Sequence, residues 1–393
     1  MANSPLRLSL WNKVGNRMER EVLNPQWEQA EPFRLRELWS PVAIFLLSRL
    51  YVLCMFLGVS RLTKNTLTKL LKSWDSSWYL SVAQHGYVTT IPPGSGDPAQ
   101  CNLGFFPLWP LLIRLVHAIT GLSWPTSAVA ATFVSGTTAA IAVWLFLRST
   151  GTLSASRRGL SLVMFTPGAI ALTLLYSEGL IVTFGFLALL LVRRRQWEAA
   201  AIAAALCSLC DPVGGAAVAA VIFVALWTAY REKTWRPLSA VAIAPLGILS
   251  FFTYLYVHAG SFFAWFNAQR TGWQGGTYFL GAPKAITAFF HHGFVNLNPP
   301  VKTLSLLFAI AILILFFRVK PPLSVVAYSI TVLFLGLLSP IIGITPRLLL
   351  RDSPMLALVG SRLNRRWFGV VLAGSCAILG YLVIVSATIV WTP

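Results

Sequence analysis

Carboxylates are scarce in this chain, which has 12 Asp and Glu among 393 residues against 31 Lys and Arg. Five of them precede residue 40, namely Glu19, Glu21, Glu28, Glu31 and Glu37. Among the other seven, Asp75 stands between aromatic residues, with Trp74 before it and Trp78 and Tyr79 after it. A carboxylate within reach of a hydroxyl can act as a general base, and aromatic rings can hold a sugar or a lipid headgroup. Asp75 is therefore the first candidate for catalysis.

The residues around Asp75 predict an amphipathic helix over 74–87, lying on the outer surface of a membrane. One face of this helix would carry Trp74, Trp78, Val82 and His85. An Asp at a helix start is typical of an N-cap, which is one interpretation of Asp75. A general base is the other interpretation, and the two are compatible.

Glu178 and Asp211 also stand where helices are expected to start. Glu178 follows Tyr176 and Ser177, and the helix dipole favours a Glu in the first turn. An ionisable group at membrane depth also indicates a functional site. Asp211 precedes Pro212, which suits the first position of a helix, so capping is the favoured interpretation there. A fourth Asp, Asp97, lies in a turn rich in Pro and Gly and is expected to face solvent.

A phosphate ligand would need positive charge on the same side as these carboxylates. Arg347, in Thr345-Pro346-Arg347, is expected at a helix start just outside the membrane, where its fork of donors could bind a phosphate. Other candidates are Arg270, Lys284, Arg114, His85 and Arg49. Asp352 follows Arg351 and is expected to neutralise it.

The composition indicates an integral membrane protein. Hydrophobic residues make up 56% of the chain, charged residues 11%, and the mean hydropathy is +0.70. These values are outside the range of soluble domains. Apolar runs of spanning length occur near 41–59, 125–147, 159–175, 178–192, 197–210, 213–229, 237–257, 301–317, 323–342, 347–360 and 368–390. The predicted fold is an all-α bundle of about eleven transmembrane helices, with the amphipathic outer helix and a re-entrant or surface helix at 105–114.

The net charge of +19 follows from topology, because the Lys and Arg residues are spread over loops and form no single nucleic-acid-binding face. With a cytoplasmic N-terminus, five basic clusters fall on the inner side, as the positive-inside bias requires. The clusters are Arg148/Arg157/Arg158, Arg193/Arg194/Arg195, Arg231/Lys233/Arg236, Arg318/Lys320 and Arg362/Arg365/Arg366. Residues 1–40 then form a cytoplasmic amphipathic segment, and 41–393 form one domain with outer loops 60–124 and 258–300.

Metal and redox chemistry find little support in the sequence. The five cysteines are odd in number and mostly lie within apolar runs, which argues against a disulfide framework. Cys207 and Cys210 have CxxC spacing without a second pair or a nearby His. No metal and no cofactor are expected.

The chain resembles the PIG-V family, the GPI mannosyltransferase II group and its bacterial relatives, within the GT-C superfamily of glycosyltransferases. The resemblance rests on Trp74-Asp75 with Trp78-Tyr79, Ala83 and His85-Gly86-Tyr87, then Phe105-Phe106-Pro107-Leu108-Trp109-Pro110, then Tyr176-Ser177-Glu178, and on Gly272-Trp273 and Pro346-Arg347. One departure is Cys210-Asp211-Pro212, where relatives tend to have an arginine, so that Arg270 or Arg347 would have to replace that basic contact.

The resemblance implies a GT-C fold and a polyprenyl- or dolichyl-phosphate-mannose donor that enters from the bilayer. Asp75 would act as general base, and mannose would pass with inversion to a lipid-linked or glycan acceptor at the non-cytoplasmic face. The substrate-binding residues implied are Trp74, Trp78, Tyr79, His85, Phe106, Tyr176, Glu178, Arg270, Trp273 and Arg347. A bacterial plasma membrane is expected, with the endoplasmic reticulum as the alternative. Two other functions stay open: a transporter or flippase for a lipid-linked saccharide, and a GT-C enzyme that uses another sugar.

The predicted topology can be tested by cysteine labelling in intact cells. Since 60–124 is predicted to be outside, Ser95→Cys should react with a membrane-impermeant thiol reagent and Arg194→Cys should not. Labelling of the Arg194 position with protection of the Ser95 position would reverse the topology.

Overall fold

The computed structural model describes residues 35–63, 65–91, 100–149, 151–272, 281–293, 298–338 and 345–388. In these ranges the regular secondary structure is helical, and no strand occurs among them. The N-terminal segment 1–40 is represented only by its last residues. Trp273 and Asp97 also lie outside the described residues, so the predictions made for them stay predictions.

The helices follow one another with short connections. The first nine are α1 Trp39–Thr63, α2 Leu67–Leu71, α3 Asp75–His85, α4 Leu108–Thr120, α5 Trp124–Arg148, α6 Leu153–Met164, α7 Glu178–Arg193, α8 Trp197–Ser208 and α9 Gly215–Glu232. The others are α10 Leu238–Ile243, α11 Leu246–Ala259, α12 Ala264–Gly272, α13 Gly281–His292, α14 Asn298–Arg318, α15 Leu323–Leu338, α16 Pro346–Arg351, α17 Ser353–Arg362 and α18 Arg365–Ala387. Short 3₁₀ segments are η1 Leu35–Leu38, η2 Asn102–Gly104, η3 Pro167–Leu172 and η4 Pro212–Gly214.

The chain is an all-α, polytopic integral membrane protein, as the sequence predicts. Within the described ranges, six helical segments are long and apolar enough to cross a membrane. They are Leu35–Thr63, Trp124–Arg148, Pro212–Glu232, Leu238–Ala259, Pro299–Arg318 and Arg365–Ala387. Leu108–Thr120, Trp197–Ser208 and Leu323–Leu338 are shorter apolar helices.

Two of the predicted spans are wrong as continuous helices, and a third, 237–257, is interrupted only at Ala244-Pro245 between α10 and α11. The run 159–175 ends as a helix at Met164 and resumes as η3, which begins at Pro167. The run 347–360 breaks at Asp352, and Pro354 then lies in the first turn of α17. Proline has no N–H to donate and suits the first turn of a new helix, so each break falls just before a proline.

The helix α7 lies at the centre of the bundle and is buried along nearly its whole length. It packs against α5, α8, α9, α15 and α16. Close approach to α5 depends on small residues, because a Cβ added at Gly179 would lie 2.6 Å from the Ser135 hydroxyl oxygen. The first residue of this central helix is Glu178, so a carboxylate is placed among the packed helices.

Residues of three of the basic clusters lie at one end of the bundle. Arg148 at the end of α5 pairs with Glu37, and Arg195 after α7 pairs with Glu232 at the end of α9. The guanidinium of Arg193 lies over the ring of Phe146, which joins the ends of α7 and α5. Glu178 begins α7 and Arg193 ends it, so the carboxylates of interest and these basic residues occupy opposite ends. Which end faces the cytoplasm stays a prediction.

Arg49 is buried inside the bundle and binds backbone, although the sequence placed it among the candidates for a phosphate. It donates to the carbonyl oxygens of Met164 (3.0 Å) and Ala169 (2.6 Å), and to the Thr173 hydroxyl (2.6 Å). The carbonyl groups at the end of α6 and in η3 have no helical partner, and this guanidinium satisfies two of them. Arg49 therefore holds the broken segment 164–173 in place.

The segment η3 packs without a gap against the start of α16. A Cβ added at Gly168 would lie 2.0 Å from the Pro346 carbonyl oxygen. Only glycine fits this contact, which sets how α16 enters the bundle.

Gly168→Ala should therefore destabilise the protein by about 1–3 kcal/mol, as overpacking does in well-packed cores. Gly58→Ala is the control, because Gly58 lies on α1 with open space around it and Ala is the better helix former. Thermal unfolding of both variants in detergent measures the difference. Equal melting temperatures for the two variants would contradict the close contact of η3 with α16.

Candidate functional site

Asp75 is the first residue of α3, and its side chain points to a guanidinium. The residue at the cap is Trp74, which makes no capping hydrogen bond through its side chain. The N-cap interpretation of Asp75 is therefore wrong, because Oδ2 accepts instead from Arg347 Nη1 at 2.5 Å. Trp74 has a φ of 58°, a region that costs a non-glycine residue about 1–3 kcal/mol. Such strain persists where the surroundings hold it, often at functional sites.

The start of α3 is fixed to the turn that precedes α7. Leu175 N donates to the Ser76 hydroxyl oxygen at 3.2 Å, and the hydroxyls of Tyr79 and Ser177 lie 3.2 Å apart. On the other side, Trp109 Nε1 of α4 donates to the Leu175 carbonyl oxygen at 2.8 Å. Three helices thus meet at one turn, which places Asp75 beside Glu178.

The helix α16 supplies two arginines to this place. Arg347 and Arg351 are four residues apart and so lie on one helix face. Arg347 Nε donates to Glu178 Oε1, and its guanidinium carbon is 4.3 Å from the centre of the Tyr176 ring. Arg351 Nη2 donates to the same Glu178 oxygen at 2.8 Å and to Asp211 Oδ2 at 2.9 Å. Glu178 is therefore shared between two guanidinium groups.

The result is one chain of ion pairs, here called the five-residue network: Asp75, Arg347, Glu178, Arg351 and Asp211. Asp211 has two roles in it. Its Oδ1 accepts from Val213 N at 2.9 Å and caps η4, as the sequence predicts, while its Oδ2 binds Arg351.

The sequence prediction that Asp352 neutralises Arg351 is wrong. Neighbouring residues of a helix point in different directions, so the two side chains do not face each other. Asp352 Oδ1 instead accepts from the Ser329 hydroxyl of α15 at 2.6 Å, and Tyr328 donates to the Arg351 carbonyl oxygen at 3.1 Å. These two bonds fix the bend between α16 and α17, and with it the direction of Arg351.

Exposure of the side chains falls from Asp75 to the middle of the network at Glu178. The side chain of Asp75 is 25% exposed, that of Arg347 13%, and that of Glu178 is fully buried. Asp75 therefore forms the open end, and Glu178 forms the closed interior. Three buried polar atoms at the site have no hydrogen-bond partner among the described residues: Trp74 Nε1, the Tyr176 hydroxyl and Glu178 Oε2.

The charges of the network do not cancel, because three carboxylates face two guanidinium groups. Burial raises the pKa of Asp211 above its ordinary value, and Arg351 and Arg347 offset this only in part. Burial also raises the pKa of Tyr79 and of Tyr176, so both phenols keep their protons at neutral pH.

The other predicted aromatic residues lie around the network rather than in it. Trp78 stacks on Phe105, with ring centres 6.0 Å apart, and Tyr79 meets the same ring edge-on. Phe106 packs against Phe251 and Trp265 in a separate apolar cluster on α11 and α12. The structure thus brings Trp74, Tyr79 and Tyr176 next to the network and leaves Phe106 outside it.

Arg49 apart, four basic candidates are not in the network. Lys284 is exposed on α13. His85 is exposed at the far end of α3, about 15 Å along the helix axis from Asp75. Arg270 is exposed on α12. Arg114 is occupied by backbone, since it donates to the carbonyl oxygens of Ala83 (2.6 Å) and Val82 (3.2 Å) at the end of α3. At Cys210-Asp211-Pro212, where relatives tend to have an arginine, the basic side chain in contact is that of Arg351 and not that of Arg270.

Sequence reasoning missed Arg351 and the ion-pairing role of Asp211. The spacing of Arg347 and Arg351 was the available signal, because residues four apart share a helix face. Among the described residues, no group of three or more His, Cys, Asp or Glu side chains could hold a metal ion.

Comparison with known proteins gives a likeness to solved structures. No family model matches the chain, and no curated protein matches it. The fold is similar to the crystal structure of ArnT from Cupriavidus metallidurans bound to undecaprenyl phosphate, with 17% identity and a TM-score of 0.49. The likeness covers 85% of this chain and 62% of that one, so the chain matches less than two thirds of that protein's length. Membership of the PIG-V family finds no support here and stays a hypothesis.

Glu178→Gln should destabilise the protein by about 3–5 kcal/mol, because it leaves two buried guanidinium groups without their shared partner. Glu232→Gln is the matched control, since its pair with Arg195 is largely exposed and such pairs contribute about 0–1 kcal/mol. Unfolding free energies in mixed micelles measure both changes. A Glu178→Gln variant as stable as the control would contradict the arrangement.

Proposed function

We propose that the chain is a glycosyltransferase of GT-C type that uses a lipid-phosphate sugar as donor. The observation that carries this proposal is the meeting of Asp75, Glu178 and Arg347. These residues come from distant parts of the sequence, and each was a candidate on chemical grounds alone. A partly open carboxylate beside a guanidinium is what transfer from a phosphate to a hydroxyl requires.

Arg347 would bind the phosphate of the donor. Its guanidinium is positively charged, partly exposed and held from behind by Glu178, which suits a fork of donors aimed at phosphate oxygens. Positive charge there stabilises the phosphate as it leaves, so no metal or cofactor is part of the proposal. The ring of Tyr176 supports the other face of the guanidinium.

Asp75 would act as the general base. The acceptor hydroxyl oxygen attacks the anomeric carbon of the sugar, and the bond from that carbon to the phosphate oxygen breaks. The electron pair of that bond leaves with the lipid phosphate, and the hydroxyl proton passes to Asp75. Attack opposite to the leaving group inverts the anomeric centre. Asp75 is the most exposed carboxylate of the network, which fits a group that meets the acceptor.

Glu178 and Arg351 would position Arg347. Both are buried, and Arg351 is itself held by Asp211 at the start of η4. A phosphate-binding arginine with its rotamer fixed by buried partners loses little freedom when the donor binds. The finer identity proposed is a polyprenyl- or dolichyl-phosphate-mannose donor and a lipid-linked or glycan acceptor, at the non-cytoplasmic face of a bacterial plasma membrane.

Asp75→Asn should lower sugar transfer by about 100- to 10,000-fold, because the amide keeps the size of the side chain but cannot accept the hydroxyl proton. Asp97→Asn is the matched control, since the sequence places Asp97 in a solvent-facing turn, and it should transfer at the wild-type rate. Transfer is measured with purified protein, membrane lipid acceptors and radiolabelled polyprenyl-phosphate sugars.

The choice of donors in the same assay identifies the sugar. Transfer from polyprenyl-phosphate mannose, and not from the glucose or arabinose donor, is expected. Full transfer by a folded Asp75→Asn variant would remove Asp75 as the base. Movement of a lipid-linked saccharide across vesicles without any transfer would favour the transporter or flippase.

A further inference from the structure

The two carboxylate partners of Arg347 are held very differently. Glu178 is fully buried, begins the central helix and is bound by Arg351 as well. Asp75 is 25% exposed at the open end, and one of its oxygens binds Arg347. A ligand that competes for Arg347 can reach Asp75 and cannot reach Glu178. Asp75 is therefore the partner that can be displaced.

We propose that the donor phosphate displaces Asp75 from Arg347, so that Asp75 becomes free to act as a base only after the donor has bound. This inference rests on the proposed function and adds the order of events at the site. In the structure, Oδ2 of Asp75 is occupied by Arg347. When the phosphate takes that position, the oxygen is released toward the acceptor hydroxyl. Binding of the donor thus prepares the base for the next substrate.

The exchange is balanced in charge for one class of donor. A sugar joined to a lipid through a single phosphate carries one negative charge, as Asp75 does, so replacing one by the other leaves the charge around Arg347 unchanged. A diphosphate-linked sugar would bring a second negative charge close to Glu178 and Asp211. The network already has one carboxylate more than it has guanidinium groups. The site therefore favours donors with a single phosphate.

The backbone beside Asp75 fits a residue that changes partner. Trp74 is held at a φ of 58°, and its indole Nε1 is buried without a hydrogen-bond partner among the described residues. Strained backbone of this kind is found at ligand-binding and switching positions, and Trp74 is bonded directly to Asp75.

The test is the affinity for the methyl ester of a polyprenyl phosphate, a phosphodiester that has the chain and the single negative charge of the donor whichever sugar the donor bears. If Asp75 competes with the phosphate, Asp75→Asn should bind this lipid about three- to tenfold more tightly than the wild type, while transfer is lost. Asp75→Ala, which keeps no side-chain acceptor for Arg347, should bind at least as tightly. Affinity is measured by titration calorimetry in lipid nanodiscs, with the melting temperature of each variant recorded.

Asp211→Asn is the matched control, because it removes one carboxylate charge from the same network without touching Arg347. A smaller gain in this variant than in Asp75→Asn supports the exchange, since a general change of charge would act in both. An equal gain in the two variants, or no gain in either Asp75 variant, overturns the exchange.

Arg347→Lys separates the exchange from the proposed function. Lipid binding that weakens in Arg347→Lys but does not change in Asp75→Asn leaves the proposed function standing and overturns the exchange. Lipid binding that is absent in every variant and in the wild type overturns both.

Discussion

The Glu178 carboxylate, shared by two arginines inside the bundle, is the interaction on which the site depends. A buried charge is tolerated only with opposite charges in direct contact, and one buried carboxylate here satisfies two guanidinium groups. Because Glu178 begins α7, the central helix fixes where both arginines must point. Arg347 then reaches outward to Asp75, and Arg351 reaches sideways to Asp211. Through the Glu178 carboxylate, the N-terminal ends of α3, α7, α16 and η4 are thus connected to one another.

That arrangement requires broken helices. A continuous span through 347–360 would carry no bend at Asp352, and the contact of η3 with the start of α16 needs the break before Pro167. The backbone groups freed by these breaks must find partners inside the protein. Arg49 supplies them for the segment 164–173, while Tyr328 and Ser329 bind at the bend beside Arg351. The basic residues of the interior are thus divided between supporting backbone and holding carboxylates.

The class of fold and three of the five network residues were predictable from composition and from the scarcity of carboxylates. With so few carboxylates in an apolar chain, Asp75 and Glu178 stand out, and Arg347 follows from its place at a helix start. The ion pair between Arg351 and Asp211 was not predictable in the same way, because each residue already had an explanation from its sequence neighbours: capping for Asp211, and pairing with Asp352 for Arg351. Asp211 does cap η4, and Asp352 is next to Arg351 in sequence but not in direction. Pro167 and Pro354 stand in the sequence at the two helix breaks. The breaks were not predicted, because the mean hydropathy of a long window does not show a single proline.

The energetics of the network argue for function rather than for stability. Replacing buried ion pairs by apolar side chains of similar volume is often neutral or stabilising, so a membrane bundle has no need of five charged residues in contact. The network also ends in a partly open carboxylate instead of closing on itself, and it has one negative charge more than it can pair. A purely structural cluster would gain by losing Asp75, whose burial is least and whose partner Arg347 already has Glu178. The presence of Asp75 beside a strained Trp74 is explained when that carboxylate has a reaction to serve.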